Sequence, residues 1–316
     1  MNNDEFKLLQ SYSLDLKIMK TEQRIREWVS HFGLDGVYIS FSGGKDSTVL
    51  LHIARRIYPE IRAVFSNTGL EYPEIVSFVK STPNVDILRP KMTFKQVIDK
   101  YGYPVISKEQ SNYIYRVRNT KSEGEINKYL HGINRDGTKT NFKVSEKWKY
   151  MVDSPFKISD KCCDQLKKNP FKKYEKETGR VPIIATLATE SSQRKRMYLK
   201  DGCNAFENKR PKSTPMGFWT EQDVLQYIKE YNVPIASVYG DIIEKDGKLV
   251  TTGESRTGCI FCMYGIHKEE GQNRIQRLEE THPKLHDYCV NKLGLKDVLS
   301  YMNIEYSNNK SKEGEK

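Results

Sequence analysis

Residues 36–48 read Gly-Val-Tyr-Ile-Ser-Phe-Ser-Gly-Gly-Lys-Asp-Ser-Thr, and their order decides the fold. Val37 to Phe41 form a short apolar run that reads as a buried strand, Ser42 to Ser47 form a glycine loop, and Thr48 to Ile57 carry helical spacing. A strand that runs through glycines into a helix gathers backbone N–H groups and the positive end of a helix dipole at one point. An anionic phosphate is the natural guest there. Gly43 and Gly44 permit close backbone approach, the hydroxyls of Ser42, Ser47 and Thr48 can donate to phosphate oxygens, and Lys45 adds charge. The pattern is neither the G-x-x-x-x-G-K-[ST] phosphate loop nor the G-x-G-x-x-G dinucleotide fingerprint.

Outward from this unit, Ile61–Phe65 and Val85–Leu88 read as further strands, separated by a helix over 72–80 that begins at Pro73. Val181–Thr186 reads as another strand and Pro215–Trp219 as a last one, before a helix capped by Thr220 and Asp223. Residues 4–32 carry one or two amphipathic helices. Strands alternating with helices predict an α/β fold: a doubly wound, mostly parallel, Rossmann-like sheet. We expect this domain to span 1–235, with a basic insertion at about 105–175. Residues 236–316 would form a C-terminal segment, disordered from about 307.

The chain has 316 residues and a formal charge of +11, enough apolar content (37%) for a core, and a basic balance that points to an anionic partner. The charge is localised: residues 89–180 hold 22 Lys and Arg against 11 Asp and Glu, and the remainder is neutral. In that stretch Tyr101, Tyr103, Tyr113, Tyr115, Tyr129, Trp148 and Tyr150 interleave with the cations, which suits phosphate contacts with base stacking in a nucleic acid. It equally suits a lid over an anionic nucleotide, or a solvated lysine-rich face. No apolar run is long enough to span a bilayer and the N-terminus is polar, so the expectation is a cytoplasmic protein with no membrane partner. The six cysteines are too few for a disulfide scaffold.

Ser42–Ser47, SGGKDS, resembles the PP-loop of the adenine-nucleotide alpha-hydrolase superfamily. Ser66-Asn67-Thr68-Gly69-Leu70-Glu71-Tyr72-Pro73-Glu74 is similar to the D-T-G-x-x-[FY]-P-E segment of the phosphoadenosine phosphosulfate (PAPS) reductase family, with Asn67 where Asp is usual. Ala188–Arg194 is similar to that family's G-x-R-x-x-E-S-x-x-R segment, from which Glu190, Ser191 and Arg194 carry over. The resemblance implies that ATP or a PAPS-type adenine nucleotide is bound by Ser42, Gly43, Gly44, Lys45, Asp46, Ser47, Thr48, Asn67, Thr68, Gly69, Glu190, Ser191 and Arg194. Lys45, Asp46 and Arg194 would act in catalysis, with Mg²⁺ if the nucleotide is ATP.

Cys162-Cys163 and Cys259-x-x-Cys262 are metal-ligand candidates, because a C-x-x-C turn points two thiolates at one centre and a distant pair can complete four. On spacing alone a [4Fe–4S] cluster and zinc both stand; adjacent cysteines suit the wider cluster better. The iron–sulfur-containing members of the resembled family hold a [4Fe–4S] cluster with this arrangement. Cys203 is a fifth candidate ligand or a thiol carrier, and equally a small core residue; Cys289 reads as a core residue, and His267 as a surface histidine or a contact to the cluster or substrate. The short E-C-G-L-H motif that supplies the reductases' nucleophilic cysteine does not occur. The expected function is therefore sulfonucleotide reduction or ATP-dependent sulfur transfer, with a sulfur donor or reductant protein as partner. The alternative is a non-catalytic nucleic-acid-binding or regulatory protein with a structural metal on the same fold.

Overall fold

The computed structural model describes residues 1–308. Its strands are β1 Val37–Ser40, β2 Ala63–Ser66, β3 Val85–Leu88, β4 Val105–Ile106, β5 Val181–Ile184, β6 Asn204–Ala205, β7 Lys212–Ser213, β8 Ile242–Lys245, β9 Lys248–Thr251 and β10 Met263–Tyr264. The chain divides into two compact units. Unit 1 comprises residues 1–67, 71–89 and 170–257; unit 2 comprises 68–70, 90–169 and 258–316.

Unit 1 holds a six-stranded sheet in the order β3-β2-β1-β5-β7-β6. All pairings are parallel except β6 with β7. Val37 and Ile39 are fully buried, as a strand covered on both faces requires. β1 lies in the middle: the chain leaves it toward β2 and β3, then returns on its other side as β5, in register Val37↔Val181 through Ser40↔Ile184. The strand order therefore reverses beside β1. In open α/β sheets, ligands bind outside the carboxyl ends of the strands at such a switch point.

The mostly parallel α/β sheet is the fold expected. Some local readings differ. The helix after β1 spans Lys45–Ile57, so Lys45, Asp46 and Ser47 form its first turn rather than the loop before it. Pro215–Trp219 is a turn, closed by Gly217 N–H donating to the Thr214 carbonyl (3.0 Å) and Trp219 N–H to the Met216 carbonyl (3.0 Å). Its Met216, Phe218 and Trp219 are all fully buried, and that consecutive burial imitates a buried strand in the sequence. Gly217 is required there because a Cβ would lie 2.1 Å from the Tyr198 ring. Strands also continue beyond the expected domain boundary at 235: β8 and β9 form an antiparallel hairpin through Asp246 (φ 51°) and Gly247 (φ 71°). Asp-Gly is the strongest short hairpin signal a sequence carries.

Residues 236–257, expected in a C-terminal segment, cluster with unit 1, while the basic stretch 90–169 and 258–308 together build unit 2. Unit 2 contains 26 Lys and Arg against 18 Asp and Glu, so +8 of the net +11 resides there. Ser307 and Asn308 are tied to the Glu279 carboxylate at 2.7 and 2.6 Å, and the rest of the tail expected to be disordered lies outside the described residues.

Candidate functional sites of the two units

In unit 1 the loop after β1 is shaped by its small residues. Gly43 sits at φ +70°, and a Cβ on it would come within 2.8 Å of both Ile75 and Val79. Ser42 and Ser47 lock the loop: Ser42 N–H donates to Ser47 Oγ (3.1 Å), the two hydroxyls lie 3.0 Å apart, and Ser47 Oγ donates to the Gly44 carbonyl (2.9 Å). Thr48 Oγ1 donates to the same carbonyl (3.0 Å), so these two hydroxyls cap the loop internally. Gly44 is the N-cap without a side chain, which leaves the first-turn amides of Asp46 and Ser47 without intrahelical acceptors. Lys45 N–H donates to the Tyr239 hydroxyl (3.2 Å), itself hydrogen-bonded to Thr257.

The charges converge on the same place. Lys45 is buried and its ammonium donates to Glu221 (3.0 Å) and the Ser255 carbonyl (2.8 Å). Glu190, in the short turn Ala188–Glu190 after β5, takes Arg194 as an ion pair and Arg256 at 2.7 Å. Asp46 feels this cluster. Burial pushes its carboxyl above the ordinary aspartate value, while Lys45, Arg256 and Arg194 pull it down and Glu221 pushes it up. Burial and the neighbouring Arg256 lower the Arg194 guanidinium, and Asp46 partly offsets them.

The structure thus brings together Ser42, Gly43, Gly44, Lys45, Asp46, Ser47, Thr48, Glu190 and Arg194 of the expected residues, with Ser191 Oγ capping the helix Ser192–Asp201 by accepting from Arg194 N–H (3.2 Å). Asn67 continues β2, donating its N–H to the Leu88 carbonyl (2.9 Å); Thr68 and Gly69 fall in unit 2, where Thr68 Oγ1 accepts from Leu70 N–H (3.2 Å). Glu221, Tyr239, Arg256 and Thr257 belong to the unit 1 site and were not foreseen. Arg256 and Thr257 lie in Gly253-Glu-Ser-Arg-Thr-Gly258, a stretch without periodicity whose one signal is a cation between two glycines.

In unit 2, backbone pairing explains why distant cysteines meet. Tyr103 bridges Ile158 in parallel, with Tyr103 N–H donating to the Lys157 carbonyl (2.8 Å), and two residues later β4 pairs in parallel with β10, Val105↔Met263 and Ile106↔Tyr264. Gly102 makes the first contact possible: at φ +105°, a Cβ on it would lie 2.3 Å from the Lys157 backbone. Cys162-Cys163 follow the 158 segment and Cys259-x-x-Cys262 directly precedes β10, its turn closed by Cys262 N–H to the Cys259 carbonyl (3.0 Å).

The thiols sense one another. Cys162 Sγ and Cys163 Sγ are 4.0 Å apart. The hydrogen bond from Cys162 brings Cys163 down to about 6 against its burial, helped by Lys167 and Lys108. The same bond, with burial and the neighbouring Cys163, Cys262 and Cys259, drives Cys162 upward. Burial and then Cys259 push Cys262 up to about 11. Beside them Tyr264 has a buried hydroxyl with no hydrogen-bond partner, and its pKa is raised by burial and then by Cys162, Cys163 and Cys262. Among the described residues no group of three or more His, Cys, Asp or Glu side chains already encloses a metal position. The donor chemistry fits a thiolate-bound group, and the orphaned hydroxyl fits an acceptor atom at that place; the two cysteine pairs would still have to draw together around it.

Cys203 lies in unit 1, buried, 2.9 Å from the Tyr198 hydroxyl, so it is not grouped with the other four. Cys289 is fully buried in the turn Tyr288–Lys292 and is a core residue, as expected. His267 packs its ring edge-on to Trp148 at 5.0 Å, and is half-buried rather than a surface histidine. No helix among the described residues is long and apolar enough to cross a membrane.

Comparison with known proteins places the chain in a family. The chain is 23% identical over 80% of its length to an uncharacterized protein of Methanocaldococcus jannaschii, of which it spans only 46%. It is 23% identical over 73% of its length to sulfate adenylyltransferase subunit 2 of Aliivibrio fischeri, covering 70% of that protein. It is 25% identical over 48% of its length to the adenosine 5'-phosphosulfate reductase of Staphylococcus haemolyticus, covering 68% of it. The phosphoadenosine phosphosulfate reductase domain model matches residues 36–263, from the first residue before β1 to the start of β10, and the chain belongs to that family.

Proposed function

We propose that this chain is an adenine-nucleotide-dependent enzyme that uses ATP to adenylylate an oxygen of its substrate in a sulfur-transfer reaction, with a [4Fe–4S] cluster held by Cys162, Cys163, Cys259 and Cys262. The observation that carries the nucleotide half is the convergence of Lys45, Arg194 and Arg256 with the helix N-terminus at the switch point beside β1. The relative named sulfate adenylyltransferase subunit 2 supports adenylyl chemistry.

In this reading the free first-turn amides of Asp46 and Ser47 hold the phosphates. Lys45 would leave Glu221 for a phosphate oxygen, and Asp46 would be the ligand for Mg²⁺ where ATP is the nucleotide. Asn67, Thr68 and Gly69 would complete the nucleotide contacts from the end of β2. Glu190 spaces Arg194 and Arg256 as a guanidinium pair, and an oxyanion of the substrate would compete for the place its carboxylate now takes. The two cations then neutralise charge that develops at the reacting phosphorus. The four thiolates would hold a cluster with every iron ligated, so it would supply charge and electrons beside the substrate rather than an open iron, and Tyr264 would donate its hydroxyl to it. The anionic substrate in this reading is a nucleic acid approached through the basic region 89–180, and the sulfur comes from a donor protein.

Sulfonucleotide reduction is the second reading. The paired cysteines and the adenosine 5'-phosphosulfate reductase among the relatives favour it. To separate the two, anaerobically purified protein is incubated with ATP and, in parallel, with adenylyl-sulfate nucleotides plus a dithiol reductant. Pyrophosphate release from ATP supports adenylylation; sulfite without pyrophosphate selects reduction. A colourless protein that carries stoichiometric zinc would sink the cluster.

A further inference from the structure

Unit 2 contains a cavity of about 460 Å³ that has no part in either site above. Its walls include Lys147, Trp148, Tyr150, His267, Asn273 and Glu305. The volume falls within the range of small-ligand sites, about 300–1,000 Å³. One wall is aromatic: the rings of Trp148 and Tyr150 lie 6.0 Å apart at 35°, and Tyr301 backs Tyr150 at 5.6 Å. Lys147 stands over the Trp148 ring with its ammonium 5.1 Å from the centroid, and it has no ion pair among the described residues. On the other wall Glu269 is paired with Arg274, whereas the exposed Glu305 keeps its charge, its carboxylate accepting among the described residues only from the Gln276 amide (3.4 Å) while its carbonyl accepts from Asn273 (2.6 Å). One polar atom is left over, since His267 Nδ1 is buried with no hydrogen-bond partner.

These features together describe an open, largely polar groove with the exposed Tyr150 ring backed by the buried Trp148, a cation at one edge and an unsatisfied ring nitrogen in its wall. We infer that the groove takes an unpaired nucleobase of a single-stranded nucleic acid, stacked on Tyr150, with its phosphate at Lys147. A base offers the π face that aromatic walls select and ring atoms that can pair with His267 Nδ1. The strand's phosphates suit the excess of +8 that unit 2 carries. The inference rests on the reading that a nucleic acid is the anionic partner of the basic region, and it adds where the strand is gripped.

The test uses the full chain and a short single-stranded oligothymidylate, which an adenine-nucleotide site has little reason to bind. Binding is read by the fluorescence anisotropy of a labelled oligonucleotide. It should bind with strong salt dependence, and Tyr150→Ala should weaken it by about 5- to 150-fold, the span of one lost base stack. Tyr150→Phe should keep most of the binding, which separates stacking from misfolding. Lys45→Ala should leave oligonucleotide binding within twofold, which keeps this result distinct from the fate of the nucleotide site. If the strand binds but Tyr150→Ala binds it as well as the parent does, the cavity assignment is overturned and the nucleic-acid reading stands. If no strand binds, both fall. Free thymidine monophosphate binding as tightly as the oligonucleotide would overturn the strand as the source of the base.

Discussion

The two sites satisfy their polar groups in opposite ways, although unit 1 holds buried unpaired nitrogens elsewhere, at Arg24, Trp28 and Arg55. In unit 1, Lys45 is answered by Glu221 and Ser255, Arg194 and Arg256 share Glu190, and the loop hydroxyls return to the Gly44 carbonyl. In unit 2, Tyr264 Oη and His267 Nδ1 are buried with no partner, and Cys162 is forced to keep its proton beside three other thiols. A buried unpaired polar group costs about 1–3 kcal/mol. A ligand of unit 1 must therefore displace bonds that already exist, whereas a group bound in unit 2 relieves a penalty. The unit 1 site should be stable without its ligand, and the unit 2 site should owe stability to its own.

The largest expected effect follows from that contrast. Cys162→Ser or Cys262→Ser should abolish iron and sulfide content outright. Amide hydrogen exchange around 102–106, 157–163 and 259–265 should then quicken, while protection in β1, β2 and β5 stays as it was. Equal loosening of both units would break the comparison.

Next in size is the guanidinium pair. Arg256→Ala should cost about 10²–10³ in kcat, as loss of one preorganised charge at a reacting centre does. Its melting temperature should scarcely move, because Arg256 is exposed and Glu190 keeps Arg194. An unchanged rate would remove Arg256 from the chemistry and leave it an ordinary surface cation.

How much of this could be read in advance also divides between the units. The strand, glycine loop and helix of residues 36–57 are continuous in sequence, so local pattern was enough to place Ser42 to Thr48 and the parallel sheet around them. Glu190 and Arg194 followed from a family segment. Arg256 and Tyr239 come from the far end of the chain and reach the loop only through tertiary packing, for which sequence has no local code. In unit 2 the four cysteines were legible by spacing, but the pairing of 102–106 with both 158 and 263–264 was not. Strands of two residues carry no periodicity at all. The Asp246-Gly247 hairpin is a different case: its turn chemistry was present and outweighed by the exposed, charged strands on either side.

Gly43 tests the preorganisation of unit 1 at a smaller scale. Gly43→Ala places a methyl against Ile75 and Val79 in backbone at φ +70°. A cost of about 1–3 kcal/mol is expected from strain and overpacking together. That corresponds to a fall in Tm of about 2–4 °C for each kcal/mol, measured by calorimetry. Nucleotide affinity should fall with it, since the loop can no longer keep its shape. A fully stable variant with lost affinity would sharpen the point, showing that the loop's shape serves the ligand and not the fold.

The smallest effect compares one histidine from each unit. His52 Nδ1 meets the Tyr227 hydroxyl at 2.8 Å, and burial and then Arg56 lower its pKa from 6.5. His267 is lowered from the same value by burial and then by Lys268 and Lys147. Both folded values lie below the unfolded one, so the unfolded chain binds more protons and stability rises with pH across this window. The contribution is intact above about 6.5 and is lost as pH falls through that value toward the folded pKa. The two differ in what neutralisation leaves behind: neutral His52 has Tyr227, and neutral His267 keeps an orphan nitrogen. His52→Gln should therefore flatten the acid side of the stability profile while lowering stability at pH 7, whereas His267→Phe should flatten it with little loss at pH 7. Denaturant unfolding of each variant between pH 5 and 8 reads the slopes directly, and a loss at pH 7 for His267→Phe as large as for His52→Gln would mean that the nitrogen in unit 2 is partnered after all.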